Sequence, residues 1–258
     1  MRYSSVFYDD IVTESLSSAK VVVPFIVDLI RPASIVDVGC ATGAWLSVFH
    51  AHGINTVVGL DGSYVDRSKL LIPLDSFRVL DLASPFSLSE RFELAMSLEV
   101  AEHLPPKSAS GFVMSLCQLA PIVLFSAAVP GQTGVHHVNE QWPEYWRGLF
   151  ASQSFRMFDP FRPVLWHDER VALWYRQNMF LFVHNDILKT NPRFLGLPEV
   201  KDANALMVID ANILLGVRAT MKRFPGMLWA RIIHHIRRRC LMRTGSDETR
   251  RESRKAAP

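Results

Sequence analysis

The chain has 258 residues, 49% of them hydrophobic, with 28 Lys/Arg against 25 Asp/Glu and a formal charge of +3. That composition builds one large domain with a buried core, and it excludes a disordered or low-complexity chain. Three cysteines exclude a disulfide framework, and no apolar run reaches the ~18 residues of a membrane span, so a reducing cytoplasmic setting is expected.

The N-terminus, Met1-Arg-Tyr-Ser-Ser, carries no charged lead-in to an apolar signal core. Residues 9–31 read as a helix: Leu16, Ala19, Val23, Ile26, Val27 and Ile30 recur at helical spacing, and Arg31-Pro32 ends it. It is expected to pack on the core; a second reading has it also cover a ligand pocket.

A βα alternation follows. Ile35–Val38 reads as a strand that breaks at Gly39 into a small-residue loop, and Ala44–His52 reads as the next helix. Thr56–Leu60, Phe77–Leu80 and Leu94–Leu98 read as further strands, ending at Asp61, Asp81 and Glu99. A helix over Ser108–Leu119 leads to a fifth strand, Ile122–Ala127. Short apolar runs alternating with helices predict an α/β fold whose mostly parallel sheet is covered on both faces. In such sheets ligands bind beyond the carboxyl ends of the strands, so Asp37, Asp61, Asp81 and Glu99 are expected to line one crevice.

Beyond residue 130 the pattern changes. Pro130–Gly134 reads as a loop, and His136 to Trp146 is rich in polar and aromatic groups. Pro143 suits the first turn of a helix running to about Ser152. Phe155–Trp166 and Asn178–His184 read as closing strands, antiparallel to the rest. Residues 186–200 read as a linker, and Ala203–Val217 as a helix. Residues 218–258 hold 12 Lys/Arg and 3 Asp/Glu, so the basic character belongs to this amphipathic and partly disordered tail. Peripheral contact with an anionic membrane, nucleic-acid binding, and packing on the domain with solvated charges are the three readings of it; nucleic acid is the least favoured.

The loop after the first strand separates two ligand classes. A dinucleotide fingerprint wants G-x-G-x-x-G, and Gly39, Ala41 and Ala44 supply one glycine of three. Asp37-Val-Gly39-Cys-Ala41-Thr-Gly43 instead resembles motif I of the class I S-adenosylmethionine-dependent methyltransferases, with Ala41 replacing the middle glycine. That replacement is tolerable if the backbone there has a negative φ. Gly59-Leu-Asp61 is similar to the family's ribose-binding acidic motif, Val79-Leu-Asp81-Leu82 to its adenine-binding motif, and Phe92 to Pro105 to its fourth. The resemblance covers about residues 20–185. It implies a Rossmann-like seven-stranded domain over 1–185, a linker and helix over 186–217, and the basic extension after it. It implies S-adenosylmethionine as cofactor, held by Asp37, Gly39, Ala41, Gly43, Asp61, Asp81, Leu82 and Glu99. The acid at Asp37 suits the ammonium of the methionyl portion, and no phosphate needs cradling.

Methyl transfer to a hydroxyl needs a positioned acceptor and a base. The candidate groups are Glu99, Glu102, His103, His136, His137 and Glu140, with His103 and His137 preferred as the acceptor-side pair. Glu99, Glu102 and His103, at i, i+3 and i+4, would share one face of a helical turn. With His137 they would offer oxygen and nitrogen ligands to a divalent metal, as in a metal-dependent branch of the family. The metal-free reading, in which Glu102 and His103 cap a helix or orient the acceptor, is preferred. Trp142, Tyr145 and Trp146 either flank the acceptor or anchor the next helix in the core. The expected activity is O-methylation of a small-molecule or glycan hydroxyl. The alternatives are a metal-dependent RNA 2′-O-methyltransferase and a non-catalytic cofactor-binding scaffold at a membrane.

Overall fold

The computed structural model describes residues 5–206 apart from Thr133. The basic tail, most of the helix expected over 203–217, and Cys240 lie outside the described residues. No helix among the described residues is long and apolar enough to cross a membrane.

Helix α1 (Ser5–Ile30) ends where Arg31 turns into the left-handed region at φ 53°, one residue before Pro32. Strand β1 (Ser34–Val38), helix α2 (Ala44–Ala51) and strand β2 (Thr56–Asp61) follow. Two short 3-10 turns lead to β3 (Phe77–Val79). Then come β4 (Leu94–Leu98), α3 (Ala109–Leu119), β5 (Ile122–Ser126), α4 (Pro143–Ala151), β6 (Phe155–Phe158), α5 (Arg162–Leu165), α6 (Leu173–Asn178), β7 (Phe180–His184) and α7 (Asn185–Thr190). Among the described residues the seven strands form one sheet in the order β3-β2-β1-β4-β5-β7-β6. The pairs from β3 to β5 are parallel, and β7 runs antiparallel to both β5 and β6.

The strands are apolar on both faces because both faces are covered. Ile35 joins α1 and α2 side chains such as Val22, Ile26 and Phe49 on one side. Its neighbours Val36 and Val38 join Phe112, Leu116 and Phe150 on the other. Phe150 of α4 stacks on Phe182 of β7 at 3.8 Å and 16°. This contact fixes the antiparallel strand against α4. The strand order reverses between β1 and β4. The crevice beyond their carboxyl ends therefore belongs to the loops after β1, β2, β4 and β5.

Two expectations are corrected. The strand expected over Phe155–Trp166 stops at Phe158. Asp159 accepts a hydrogen bond from the Arg162 N–H (3.1 Å) and starts the helical turn α5, so the apolar run changes period instead of extending. The linker expected over 186–200 is structured. His184 accepts from the Asp186 N–H at the start of α7 (3.2 Å). The chain then returns to the sheet edge, where Asp159 N–H donates to Pro198 O (2.9 Å) and Val200 N–H to Met157 O (2.8 Å). Arg156 also donates to Glu199 (2.8 Å).

Candidate active site

The loop after β1 is built from left-handed residues: Gly39 (φ 87°), Ala41 (φ 48°) and Gly43 (φ 81°). Gly39 and Cys40 N–H both donate to Leu60 O (2.7 and 3.2 Å), which ties the loop to the end of β2. A Cβ at Gly39 would lie 2.3 Å from the Val100 side chain, so residue 39 must be glycine. The negative φ that would make alanine tolerable at position 41 is not found. Alanine sits left-handed here, at about 1–2 kcal/mol. Ala41 N–H donates to Asp61 Oδ2 (2.7 Å), a charge-assisted bond that offsets this strain.

Asp37, in the parallel register between Gly59 and Met96, is 4% exposed. Burial, with the negative charge of Asp61 second, pushes its carboxyl up to about 8. A buried acid facing a second acid is the environment that a cationic ligand group relieves. In the cofactor-free protein the stability contributed by Asp37 is fully present below about pH 4. It is lost as pH rises through about 8, because the unfolded chain releases this proton earlier than the folded one. Asp37→Asn is therefore expected to gain about 2–5 kcal/mol over wild type between pH 5 and pH 8. Thermal unfolding without cofactor across that range checks this, and a Tm difference that does not grow with pH contradicts it.

Asp61 is 3% exposed. It accepts from Ala41 N–H, from Gly62 N–H (2.6 Å) and from the Tyr64 hydroxyl. Burial raises its pKa, and these donors oppose the rise. The structure thus brings Asp37, the 39–43 loop and Asp61 together. Asp81 follows Leu80, whose N–H donates to Asp61 O (2.8 Å); it is exposed, and its two oxygens close their own turn, accepting from Ala83 N–H and the Ser84 hydroxyl (both 3.0 Å). The Leu82 side chain is buried in the core, which leaves its backbone as the part available to a ligand.

At the end of β4, the shared helical face expected for Glu99, Glu102 and His103 does not form. Glu99 is left-handed (φ 56°), and the helical turn is a 3-10 turn limited to Ala101–His103. The Glu99 carboxylate points into an amide network, accepting from Gln132 Nε2 (2.8 Å) and Asn178 Nδ2 (3.3 Å). Glu102, His103 and His137 do gather, with ligand atoms all within 4.8 Å of one another. Glu102 is fully buried; neither carboxylate oxygen makes a hydrogen bond of good geometry, although the Ala128 backbone and the Glu99 carboxyl are close enough to act on it. Burial first and the Glu99 charge second raise its pKa well above the carboxylate range.

The loop bearing His137 is pinned to this turn. Val138 and Asn139 N–H donate to Glu102 O (2.9 and 3.0 Å). His137 Nδ1 pairs with Glu140 Oε1 (2.9 Å), and Glu140 Oε2 accepts from Gly131 N–H (2.8 Å). The His103 ring meets the His137 ring edge-on at 4.9 Å. Partial burial, then the neighbouring His137 imidazole, lowers the His103 pKa. A Cβ at Gly134 would come 2.2 Å from His137 Nε2, so Gly134 packs against that edge of the ring and a larger residue there would displace it. His136 is exposed and left-handed (φ 63°). Of the three aromatics, Trp146 is core, 3% exposed and against Phe125, whereas Tyr145 stays 37% exposed. Sequence reasoning missed Tyr64, Gln132 and Asn178. No motif marks them, and Asn178 reaches Gln132 across 46 residues.

The family described as "Methyltransferase domain" matches residues 17–161, more than half of the chain. DesVI of Streptomyces venezuelae superposes with a TM-score of 0.52 at 16% identity, over 69% of this chain and 95% of that one. The sugar N-methyltransferase KedS8 of Streptoalloteichus superposes with a TM-score of 0.55 at 14% identity, over 71% and 93%. At those identities the likeness shows the fold. No curated protein sequence matches the chain. The family match, the seven-stranded sheet with its switch at β1/β4, and the acid-flanked glycine loop agree: the chain belongs to the class I S-adenosylmethionine-dependent methyltransferases.

Proposed function

We propose that the chain methylates a hydroxyl of a small-molecule or glycan acceptor, with His137 as general base and Glu140 orienting it. The observation that carries the reading is the His137–Glu140 pair pinned beside the buried Glu102 turn. S-adenosylmethionine supplies a methyl group bonded to a positively charged sulfur. The chain has to hold the donor, align the acceptor oxygen in line with the methyl carbon, and take one proton. Asp37 suits the donor's ammonium, Asp61 its ribose diol, and the 39–43 backbone the sugar and methionyl edge. With Nδ1–H given to Glu140, His137 Nε2 is the nitrogen left to accept the hydroxyl proton. The Glu99–Gln132–Asn178 network fixes the wall beside it. The sugar N-methyltransferase among the superposed folds is consistent with a glycan-sized acceptor and makes a sugar amine the main competitor. Labelled methyl transferred to glycan or small-molecule hydroxyls supports the proposal; label found only on amines or RNA rejects it.

A second reading uses the same atoms. Glu102, with no hydrogen bond of good geometry to either oxygen and beside His103 and His137, has the donor set of a divalent-cation seat. A carboxylate on the far nitrogen is the usual support of a metal-bound imidazole. His137 Nε2 cannot both hold a metal and take a proton, so the two readings separate. The metal-free reading expects turnover in EDTA to stay within about twofold of the untreated enzyme. A metal seat expects a loss on the order of 10- to 100-fold, restored by Mn2+. It also expects Mn2+ binding by calorimetry that vanishes in Glu102→Gln.

A further inference from the structure

We infer that Tyr64 is an internal stand-in for a ribose hydroxyl at Asp61, and that its phenol must leave when the cofactor binds. The inference rests on the reading of Asp61 as acceptor of the ribose diol.

Asp61 has three identified donors. Ala41 N–H holds Oδ2 at 2.7 Å, and Gly62 N–H holds Oδ1 at 2.6 Å. Both are backbone groups fixed by the loop and strand end. The third is the Tyr64 hydroxyl, also on Oδ1. It reaches Asp61 by folding its ring back over Gly62. A Cβ at residue 62 would lie 2.2 Å from the Tyr64 ring, so the arrangement requires glycine there. The ring itself is 74% exposed. Burial therefore contributes little to the bond with Oδ1, and a change of side-chain rotamer breaks that bond without moving the backbone.

The phenol and a ribose hydroxyl are the same kind of partner: a neutral O–H donating to a buried carboxylate. Of the three donors, only the phenol can be exchanged for them. The folded-back state is closed to the diol, so apparent affinity is the intrinsic affinity reduced by the fraction of time the phenol is away. The exchange also sets specificity. A ligand bringing hydroxyls to Oδ1 replaces the bond it breaks, whereas one lacking them leaves a buried acceptor short of a donor.

The test is calorimetry with S-adenosylhomocysteine on the full-length wild type, Tyr64→Phe and Asp61→Asn. Tyr64→Phe is expected to bind tighter by on the order of 3- to 30-fold. Wild type is expected to show a tyrosine ultraviolet difference signal on saturation, as a phenol passes from carboxylate to water, and Tyr64→Phe to lack it. Equal or weaker binding by Tyr64→Phe, or the same signal in both proteins, overturns the inference while the Asp61 reading stands. Unchanged affinity in Asp61→Asn overturns both.

Discussion

Asp61→Ala is expected to abolish measurable binding of S-adenosylmethionine in calorimetry while leaving a folded protein. Two effects add. The ribose diol loses a charged acceptor, and each such hydrogen bond is worth about 1.5–3 kcal/mol. The glycine loop also loses its anchor, because Ala41 N–H and Gly62 N–H both donate to this carboxylate. Together these weaken affinity by roughly 100- to 10,000-fold. The fold survives because the substitution removes a buried acid whose charge pushes Asp37 up. Relief at Asp37 offsets part of the lost loop bonding. Asp61→Asn separates the two effects in part: its single amide oxygen can still accept from one of the two N–H groups, which bond different oxygens of Asp61, and it offers the diol no negative charge. Asparagine is expected to keep the apo melting temperature closer to wild type than alanine does, with affinity still far below wild type. Wild-type affinity in the alanine variant would remove Asp61 from the site.

Much of this was legible in the sequence, for physical reasons that also mark where legibility ends. Strands β1, β4 and β5 were readable because buried parallel strands are continuous apolar runs bounded by turn signals, and Leu94–Leu98 is found as expected. That Asp37 and Asp61 lie together at the glycine loop was readable because each acid sits at a fixed offset from the end of such a run. Backbone handedness was not readable. Ala41 and Glu99 both have positive φ, which residue type argues against. The i, i+3, i+4 argument for Glu99, Glu102 and His103 fails for that reason: the first residue turns away before the helical turn starts. Apolar content alone could not separate Phe155–Phe158 from Arg162–Leu165. The deciding atom is the Asp159 carboxylate that stops the strand and starts the turn. Long-range polar closures carry no local signal at all. Glu99 is held by Gln132 and Asn178, and nothing near any of the three announces the other two.

His137→Ala is expected to lower kcat by roughly 100- to 10,000-fold, the range for loss of a positioned general base, with cofactor affinity unchanged. The cofactor contacts proposed at the 39–43 loop and Asp61 do not involve His137, and the His137 loop is held by bonds to the Glu102 carbonyl that a side-chain change leaves in place. Glu140→Gln tests the orienting role. Glutamine can still bond Gly131 N–H through its oxygen, but it can present an amide N–H to His137 Nδ1 and so favour the wrong tautomer. A loss of about 10- to 100-fold in kcat with little change in KM is expected. Since Glu140 acts through His137, the double variant should fall little below His137→Ala alone, and additive losses would assign Glu140 a separate task. The pH profile gives an independent readout: removing the base should abolish the acidic limb of kcat. If kcat in His137→Ala stays within about threefold of wild type on a hydroxyl acceptor, the base is elsewhere. The partly buried Glu99 and the fully buried Glu102, both shifted towards the neutral acid, then become the groups whose proton traffic has to be explained.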